Sequence, residues 1–255
     1  MTREPLRAIF GEDPDRYDRA RPTYPPALFA DLPPGDRVLE IGAGTGQATL
    51  PLARQGRHVT AVELSPPMAA VATRNLAAFR NAEVVAAPFE EWPLPAEPFD
   101  LVLSATAFHW IDPAIRVAKS ADALRPGGSL AVISTHHVLG GTTDFFVDVQ
   151  RCYERFDPDT PPNLRQQPAA DIPRDSTEFD ASGRFGPVTF HGYPWEQTYT
   201  TDEYLDLLLT YSNHRALPPA QQSGLLACIG SLIDSHGGTV TKAYLTLMAT
   251  AHRTT

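Results

Sequence analysis

Residues 38–46 constrain the fold of this chain more than any other segment. They read Val-Leu-Glu-Ile-Gly-Ala-Gly-Thr-Gly, an apolar run that contains one acid and leads into three alternating glycines. The apolar run is typical of a short buried strand, and the glycines allow a sharp turn whose backbone can approach a ligand closely. We expect a helix to begin near Gly46. The pattern therefore predicts a strand, a turn and a helix of an α/β sheet.

The spacing around this turn distinguishes two kinds of nucleotide site. A dinucleotide fingerprint needs Gly or Ala at the sixth position counted from Gly42, but Gln47 stands there. Glu40 would also point negative charge toward a pyrophosphate. Glu63 closes the next apolar run, about 20 residues downstream, where an acid can accept hydrogen bonds from both ribose hydroxyls. The spacings favour an adenosine without a diphosphate.

With the acid, the glycines and the second acid in place, the chain resembles the class I S-adenosylmethionine-dependent methyltransferases. Residues 98–104, Pro-Phe-Asp-Leu-Val-Leu-Ser, resemble the fourth strand of that family. Residues 124–130, Leu-Arg-Pro-Gly-Gly-Ser-Leu, resemble the turn that leads into its fifth strand. The resemblance implies a Rossmann-like α/β fold. Its seven-stranded sheet is mostly parallel with the last strand antiparallel, and helices cover both faces.

The resemblance also suggests how the chain is divided. A chain of 255 residues with 42% hydrophobic residues can bury one large core. We expect a single methyltransferase domain over 1–255. Its parts are an N-terminal arm or lid at 1–34, a cofactor-binding core at 35–135, a cap insertion at 136–187 and the completion of the sheet and helices at 188–255.

Local patterns predict the individual elements. Ser65 can cap a helix that begins at Pro66. Pro51 falls inside the first predicted helix and predicts a kink or a late helix start. The loop of about 30 residues at 157–187 is expected to be functional. The predicted helices are 66–79, 114–123, 141–156, 201–214 and 218–236, and the predicted later strands are 84–87, 101–104, 130–135, 188–198 and 240–250.

Residues 17–25, Tyr-Asp-Arg-Ala-Arg-Pro-Thr-Tyr-Pro, resemble the arm of a small-molecule branch of the family. Members of that branch also place His-Trp after the fourth strand, here His109 and Trp110. By this resemblance Tyr17 and Arg21 would meet the methionine carboxylate of the cofactor, for which a guanidinium fork is well shaped. The alternative is that Arg21 is a surface ion-pair residue and Tyr17 only packs.

The resemblance implies S-adenosyl-L-methionine as cofactor, with S-adenosyl-L-homocysteine as product. Many relatives place an Asp where this chain has Pro88. Adenine recognition would then depend on the backbone amide of Phe89 and apolar packing, with Glu90 as an alternative acceptor. The remaining residues expected to bind the cofactor are Glu40, Gly42, Ala43, Gly44, Gly46, Glu63, Leu64, Ser104, Ala105 and Thr106.

Candidate catalytic residues follow the fourth and fifth strands, because ligands bind at the carboxyl ends of strands in open α/β sheets. A neutral His109 could remove a proton from an acceptor hydroxyl or amine, and His136 and His137 are rival bases. The alternative is that His109 and Trp110 only build the pocket wall. A dedicated base is optional. The acceptor pocket is expected to include Trp110, Phe145, Phe146, Tyr211 and His214, although aromatic residues in helices are more often part of the core.

Composition limits the partners. The net charge of -9, from 30 acids and 21 bases without a basic block, argues against a nucleic-acid substrate. No apolar stretch is long enough to span a membrane, so we expect a cytoplasmic protein. We also expect it to be a monomer or a homodimer. Cys152 and Cys228 lack CxxC spacing and are expected to be unpaired. No metal-site pattern is present among the histidines.

These observations predict methyl transfer to an oxygen, nitrogen or carbon of a small-molecule metabolite, as in secondary metabolism. An alternative is a protein that binds S-adenosylmethionine without transferring methyl, in a cyclase-like or regulatory role. A nicotinamide-dependent oxidoreductase fits less well, because Glu40 and Gln47 depart from its fingerprint.

Overall fold

The computed structural model describes residues 10–157, 159–161 and 164–254. The chain divides into two compact units. The core unit contains residues 22–135, 173–193 and 246–254, and the cap unit contains residues 10–21, 136–172 and 194–245. Each unit is described by itself below.

Short helices and one long helix account for the helical structure. Three-residue 3-10 turns lie at Phe10–Glu12, Phe108–Trp110 and Ala169–Asp171. The helices are α1 (Pro14–Ala20), α2 (Pro26–Ala30), α3 (Thr49–Arg54), α4 (Pro66–Asn75), α5 (Arg116–Ala123), α6 (Thr143–Asp148), α7 (Gln150–Phe156), α8 (Thr177–Ser182), α9 (Thr201–Leu208), α10 (Ser212–Arg215) and α11 (Pro219–Ser235).

Seven strands form one sheet in the order β3-β2-β1-β4-β5-β7-β6. The strands are β1 (Arg37–Ile41), β2 (His58–Glu63), β3 (Ala82–Ala86), β4 (Phe99–Ala105), β5 (Leu124–Gly141), β6 (Thr189–Thr200) and β7 (Thr239–His252). Six strands are parallel and the last is antiparallel. The predicted fold class is therefore confirmed. The strands β5, β6 and β7 have residues in both units.

The core unit is built around β1, whose neighbours are β2 and β4. Val38 pairs with Val59 on one side and with Leu101 on the other, in parallel register. All three side chains are buried, as expected for a strand covered on both faces. The parallel register places the carboxyl ends of β1, β2 and β4 at the same edge of the sheet, where the glycine turn begins.

Asp100, from the motif at the start of β4, has a structural role in the core unit. Its carboxylate accepts hydrogen bonds from the backbone N–H of Asp36 at 3.0 Å and of Arg37 at 2.9 Å. It also accepts one from the Arg125 guanidinium at 2.6 Å. These bonds lower the pKa of Asp100, that from Arg125 most strongly. Asp100 thus fixes the beginning of β1 against the turn within β5.

The cap unit has its own apolar core, which is rich in aromatic side chains. Phe145 is fully buried, with its ring centroid 5.9 Å from that of Tyr204 in an edge-to-face arrangement. Cys152 on α7 and Cys228 on α11 form a disulfide whose Cα atoms are 5.8 Å apart. The expectation of two unpaired thiols was therefore wrong. The two cysteines are 76 residues apart, and only the packing of α7 against α11 brings them together.

Several predicted elements differ from the observed ones. The first helix begins late, at Thr49, because Pro51 then lies in the first turn, where no intrahelical N–H bond is lost. The predicted helix at 141–156 is divided at Val149, and the one at 201–214 is divided after Leu208. The predicted loop at 157–187 contains α8 and a 3-10 turn. The helix predicted at 66–79 ends at Asn75.

Within the described part of the chain, none of the helices combines the length and the apolar character that a membrane span requires.

Candidate functional site

The glycine turn after β1 requires glycine at its first position. Gly42 has a φ of +71°, and a Cβ there would lie 2.4 Å from the Cβ of Ala107. Its N–H donates to the carbonyl of Val62 at 2.8 Å, which ties the turn to the end of β2. Any side chain at Gly42 would therefore meet both backbone strain and a steric clash. The turn keeps the backbone at the sheet edge accessible.

Glu63 ends β2 and connects two turns through its carboxylate. One oxygen accepts the N–H of Gly44 at 2.8 Å, and the other accepts the N–H of Ser65 at 2.8 Å. The Ser65 hydroxyl in turn accepts the N–H of Met68 and caps α4. The Glu63 carboxylate is therefore an acceptor that the backbone orients at the end of β2.

Glu40 is the buried acid of the site, with 1% of its surface exposed. The Thr49 hydroxyl donates to its carboxylate at 2.6 Å. Burial raises the pKa of Glu40 to about 8; the Thr49 bond opposes this rise, and the negative charge of Glu63 adds to it. Glu40 is thus mostly protonated at neutral pH. A cation placed beside it would favour the ionised form.

The end of β4 contributes small side chains and a strained residue. The buried Ser104 hydroxyl donates to the carbonyl of Ile41 at 2.9 Å and joins the ends of β4 and β1. Thr106 has a φ of +55°, which is rare for a residue with a branched side chain. The hydroxyls of Thr106 and Tyr24 are hydrogen-bonded to each other, and the N–H of Thr106 donates to the carbonyl of Ile133. Backbone strain of this kind is concentrated at functional sites.

Phe89 lies in the segment that follows β3 and is fixed by a lysine. Its side chain is buried in the apolar core of this unit. Lys119 Nζ lies 5.2 Å from the centroid of the Phe89 ring. The same ammonium donates to the carbonyls of Glu90 at 2.9 Å and Trp92 at 2.7 Å. The Glu90 carboxylate accepts the N–H of Asp112 at 3.3 Å.

His109 and Trp110 lie in the 3-10 turn that follows β4. The His109 side chain is exposed, and its ring centroid lies 4.9 Å from that of Trp110. An exposed imidazole can exchange protons with solvent as well as with a ligand. Its position after a central strand agrees with the predicted location, and its role remains a prediction.

Several predicted site residues belong to the cap unit. Arg21 places its guanidinium carbon 5.0 Å from the ring centroid of Tyr17 and 4.4 Å from that of Tyr211. It also donates to the carbonyl of Thr210 at 3.1 Å. Among the described residues, the contacts of Arg21 are with rings and a carbonyl, and not the ion pair of the alternative given for it above.

Three histidines of the cap unit have lowered pKa values. Burial, together with the charge of Lys242, lowers the pKa of His137 to about 2 and that of His214 to about 4. Burial also lowers the pKa of His136. His214 is hydrogen-bonded to the Tyr153 hydroxyl at 2.9 Å. A neutral imidazole with so low a pKa is a weak proton acceptor.

The two phenylalanines predicted for the acceptor pocket are core residues of the cap unit. Phe145 is fully buried and Phe146 is 5% exposed. Their ring centroids are 5.1 Å apart, and the His137 ring lies 4.5 Å from that of Phe146. This packing explains their burial without a ligand.

The sequence did not predict several contacts around the two acids of the site. Thr49 and Ser65 are common helix-start residues, and their hydrogen bonds with Glu40 and Glu63 become evident only in the fold. Tyr24 closes the aromatic motif at 17–25, so a signal for it was present. Lys242 carried no recognisable pattern.

The comparisons with known proteins agree with one family. The family described as Methyltransferase domain matches residues 38–128. A protein of Mycobacterium tuberculosis named "Uncharacterized methyltransferase" is 39% identical over 134 residues, which are 52% of this chain and 54% of that protein. The chain thus spans about half the length of this relative. Another "Uncharacterized methyltransferase", from a Geobacillus species, is 31% identical over 150 residues, which are 53% of this chain and 69% of the relative.

Solved structures support the same fold. A structure titled "Putative Type II Methyltransferase" from Anaeromyxobacter dehalogenans has a TM-score of 0.63 and 23% identity, and the match covers 91% of this chain and 97% of that one. The YcgJ protein of Bacillus subtilis has a TM-score of 0.52 and 16% identity, with 89% and 96% covered. At these identities the likeness shows the fold.

Proposed function

Because this chain belongs to the class I S-adenosylmethionine-dependent methyltransferases, we propose that it transfers a methyl group from S-adenosyl-L-methionine to an oxygen, nitrogen or carbon of a small molecule. The observation that carries the proposal is the pair of acids at the glycine turn. Glu40 is buried and mostly protonated, and Glu63 is oriented by two backbone N–H groups. S-adenosylmethionine matches this pair, because its positive charge favours the ionised form of Glu40 and its ribose hydroxyls can donate to the oriented Glu63 carboxylate.

The adenosine end of the cofactor is assigned to Glu63 and its neighbours. The two backbone bonds hold the Glu63 carboxylate in place, and this carboxylate is the proposed acceptor of hydrogen bonds from the two ribose hydroxyls. The turn at Gly42, Ala43, Gly44 and Gly46 brings the backbone close to the ligand. Leu64 and the backbone of Phe89 are proposed to contact the ribose and the adenine.

The methionine end is assigned to Glu40 and to the end of β4. Ionisation of the buried Glu40 is favoured by a nearby cation, and both the ammonium and the sulfonium of the cofactor are cations. Ser104, Ala105 and Thr106 have small side chains that leave space at this edge. Tyr17 and Arg21 remain a proposal for the methionine carboxylate.

The bound cofactor supplies an electrophilic methyl group. An acceptor lone pair forms the new bond to the methyl carbon while the carbon–sulfur bond breaks and its electron pair stays on sulfur. The protein contributes positioning and exclusion of water, which reduce the entropic cost of the displacement. Where the methyl acceptor must lose a proton, His109 is the proposed base. His136 and His137 are weaker candidates for this base, because burial lowers the pKa of each imidazole.

Titration calorimetry tests the cofactor assignment. We expect S-adenosylhomocysteine to bind the wild-type protein and NAD to show no heat of binding. Replacing Glu63 by Gln should weaken S-adenosylhomocysteine by about tenfold or more, since one charge-assisted bond is worth roughly 1.5–3 kcal/mol. The matched control is Glu91→Gln, which changes an exposed acid of the same unit. Tight NAD binding without any response to S-adenosylhomocysteine would overturn the proposal.

Methyl transfer itself is tested by incubation with S-adenosylmethionine and a pool of small metabolites. Mass spectrometry should detect S-adenosylhomocysteine together with a product that is heavier by one methyl group. Binding of the cofactor without such a product would favour the alternative role in which no methyl is transferred.

A further inference from the structure

The cap unit contains two cations that share one tyrosine. Lys242 is buried on β7, and its Nζ lies 3.2 Å from the hydroxyl oxygen of Tyr211. Arg21 lies on the ring of the same tyrosine, with its guanidinium carbon 4.4 Å from the centroid. The rings of Tyr204 and Tyr244 complete the surroundings of Lys242, with centroids 5.9 Å and 5.2 Å from Nζ. We call these five residues the Lys242 cluster.

The Lys242 cluster has an excess of positive charge. Among the described residues, no carboxylate lies within ion-pair distance of Lys242 or Arg21. The acids of this unit that form ion pairs have other partners, which are Arg16 for Asp13 and Asp206, Arg215 for Glu12, and Arg151 and His236 for Asp148. A buried ammonium without a counter-charge is strongly unfavourable.

Neighbouring groups respond to this positive charge. Lys242 contributes, after burial, to the lowered pKa of both His137 and His214. Burial alone would raise the pKa of Tyr211, but the charges of Lys242 and Arg21 outweigh it, so that the pKa is lowered. In His137, His214 and Tyr211 alike, the lowered pKa favours the form of the side chain that carries less positive charge. The interior of the cluster therefore attracts negative charge.

Among the described residues, one hydrogen-bond donor of the cluster has no partner. Arg21 donates to the Thr210 carbonyl through one terminal nitrogen, whereas its buried Nε meets no acceptor in that part of the chain. Buried donors without partners are rare and costly in native proteins. Arg21 thus presents an unused donor beside the Tyr211 ring. An oxyanion is the ligand that would satisfy both this donor and the charge.

We propose that Lys242, Arg21 and Tyr211 bind an oxyanion, a carboxylate or a phosphate, that belongs to the methyl acceptor. In this assignment Arg21 contacts the acceptor instead of the methionine carboxylate. This inference rests on the proposed methyl transfer and adds that the acceptor is a small organic anion. Trp195 stacks on Tyr244 with a centroid distance of 4.3 Å and extends the aromatic surface next to the charged groups. An acceptor with an apolar or aromatic body matches this combination.

Benzoate, phenyl phosphate and neutral benzamide are suitable probes for calorimetry with the full chain. We expect one of the two anions to bind at least about tenfold more tightly than benzamide, and the tighter anion shows which oxyanion the site takes. Lys242→Met should remove this preference, because methionine keeps the apolar stem but not the charge. Arg151→Met is the matched control; it removes a cation of the same unit whose side chain is 85% exposed, and the preference should persist.

Four results would overturn the inference. The first is equal binding of anions and benzamide by the wild-type protein, and the second is an anion preference that survives in the Lys242→Met protein. The third is an ionised tyrosine signal at neutral pH that disappears in Tyr211→Phe, since Tyr211 itself would then neutralise the cluster. The fourth is weaker binding of S-adenosylhomocysteine, but not of 5′-methylthioadenosine, to the Lys242→Met protein, because the oxyanion would then be the cofactor's own carboxylate.

The same measurements separate this inference from the proposed function. Failure of the wild-type protein to bind S-adenosylhomocysteine refutes the proposed function whatever the anions do. Unchanged S-adenosylhomocysteine binding by the Lys242→Met protein shows that the fold is intact, so that a lost anion preference reports the cluster itself.

Discussion

The buried acid Glu40 makes stability depend on pH in a direction opposite to that of most carboxylates. Its pKa is about 8 in the folded protein, against about 4.3 for an ordinary Glu in the unfolded chain. Between these values the folded state holds a proton that the unfolded state releases. The free energy of unfolding therefore falls by about 1.4 kcal/mol for each pH unit in this interval. The stabilisation is complete below about pH 4.3 and is lost as the pH rises through about 8.

Glu40→Gln isolates this contribution, because the amide resembles the protonated acid and cannot ionise. Between about pH 5.5 and about pH 7.5 the wild-type protein should lose about 2.5 kcal/mol relative to the variant. Urea unfolding of both proteins at several pH values measures the difference. The comparison cancels the titration of the other groups, which both proteins share.

Glu91→Gln serves as the control, since that side chain is exposed in the same unit. Its stability should follow that of the wild-type protein over the whole pH range. Parallel curves for wild type and Glu40→Gln would refute the reasoning, because Glu40 would then already be ionised in the folded state. Addition of S-adenosylmethionine should reduce the pH dependence and release protons, which calorimetry in buffers of different ionisation enthalpy detects.

Three further changes test other parts of the structure. Gly42→Ala should destabilise the protein by about 1–3 kcal/mol more than Gly56→Ala in urea unfolding: both glycines have a positive φ, but a Cβ at Gly56 meets nothing within 4 Å. Replacing Cys152 and Cys228 together by Ala should lower the free energy of unfolding by about 4–5 kcal/mol, because the disulfide closes a loop between cysteines that are 76 residues apart. A reducing agent should then no longer change the melting temperature of this variant. His109→Ala should lower turnover with little change in the affinity for S-adenosylhomocysteine, and unchanged turnover would exclude His109 as a base.

The sheet was predictable because its strands carry local signals. The runs at 38–41, 59–62 and 101–103 are short and mainly apolar, as is typical of parallel strands buried on both faces. Glycines after the first run and a Ser-Pro pair before α4 fix the turn and the helix start. Helix breaks at Val149 and after Leu208 were missed because no glycine or proline marks them.

The positions of the two acids at the glycine turn were predictable, but their chemical states were not. The sequence places Glu40 and Glu63 at the ends of neighbouring strands. The raised pKa of Glu40 depends on complete burial and on a threonine from the following helix. The orientation of Glu63 depends on two backbone N–H groups from separate turns. Neither environment is encoded in the spacing of the acids.

Sequence alone thus indicated the family, through its resemblance in several short motifs. It also indicated the parallel sheet and the edge at which the cofactor is proposed to bind, because strand patterns and glycine turns act over a few residues. Tertiary structure decided the disulfide between Cys152 and Cys228, the protonation of Glu40 and the assembly of the Lys242 cluster. Burial, ion pairing and cross-linking depend on which distant segments meet. Their free energies are set by the folded surroundings of each group, and no short sequence pattern contains that information.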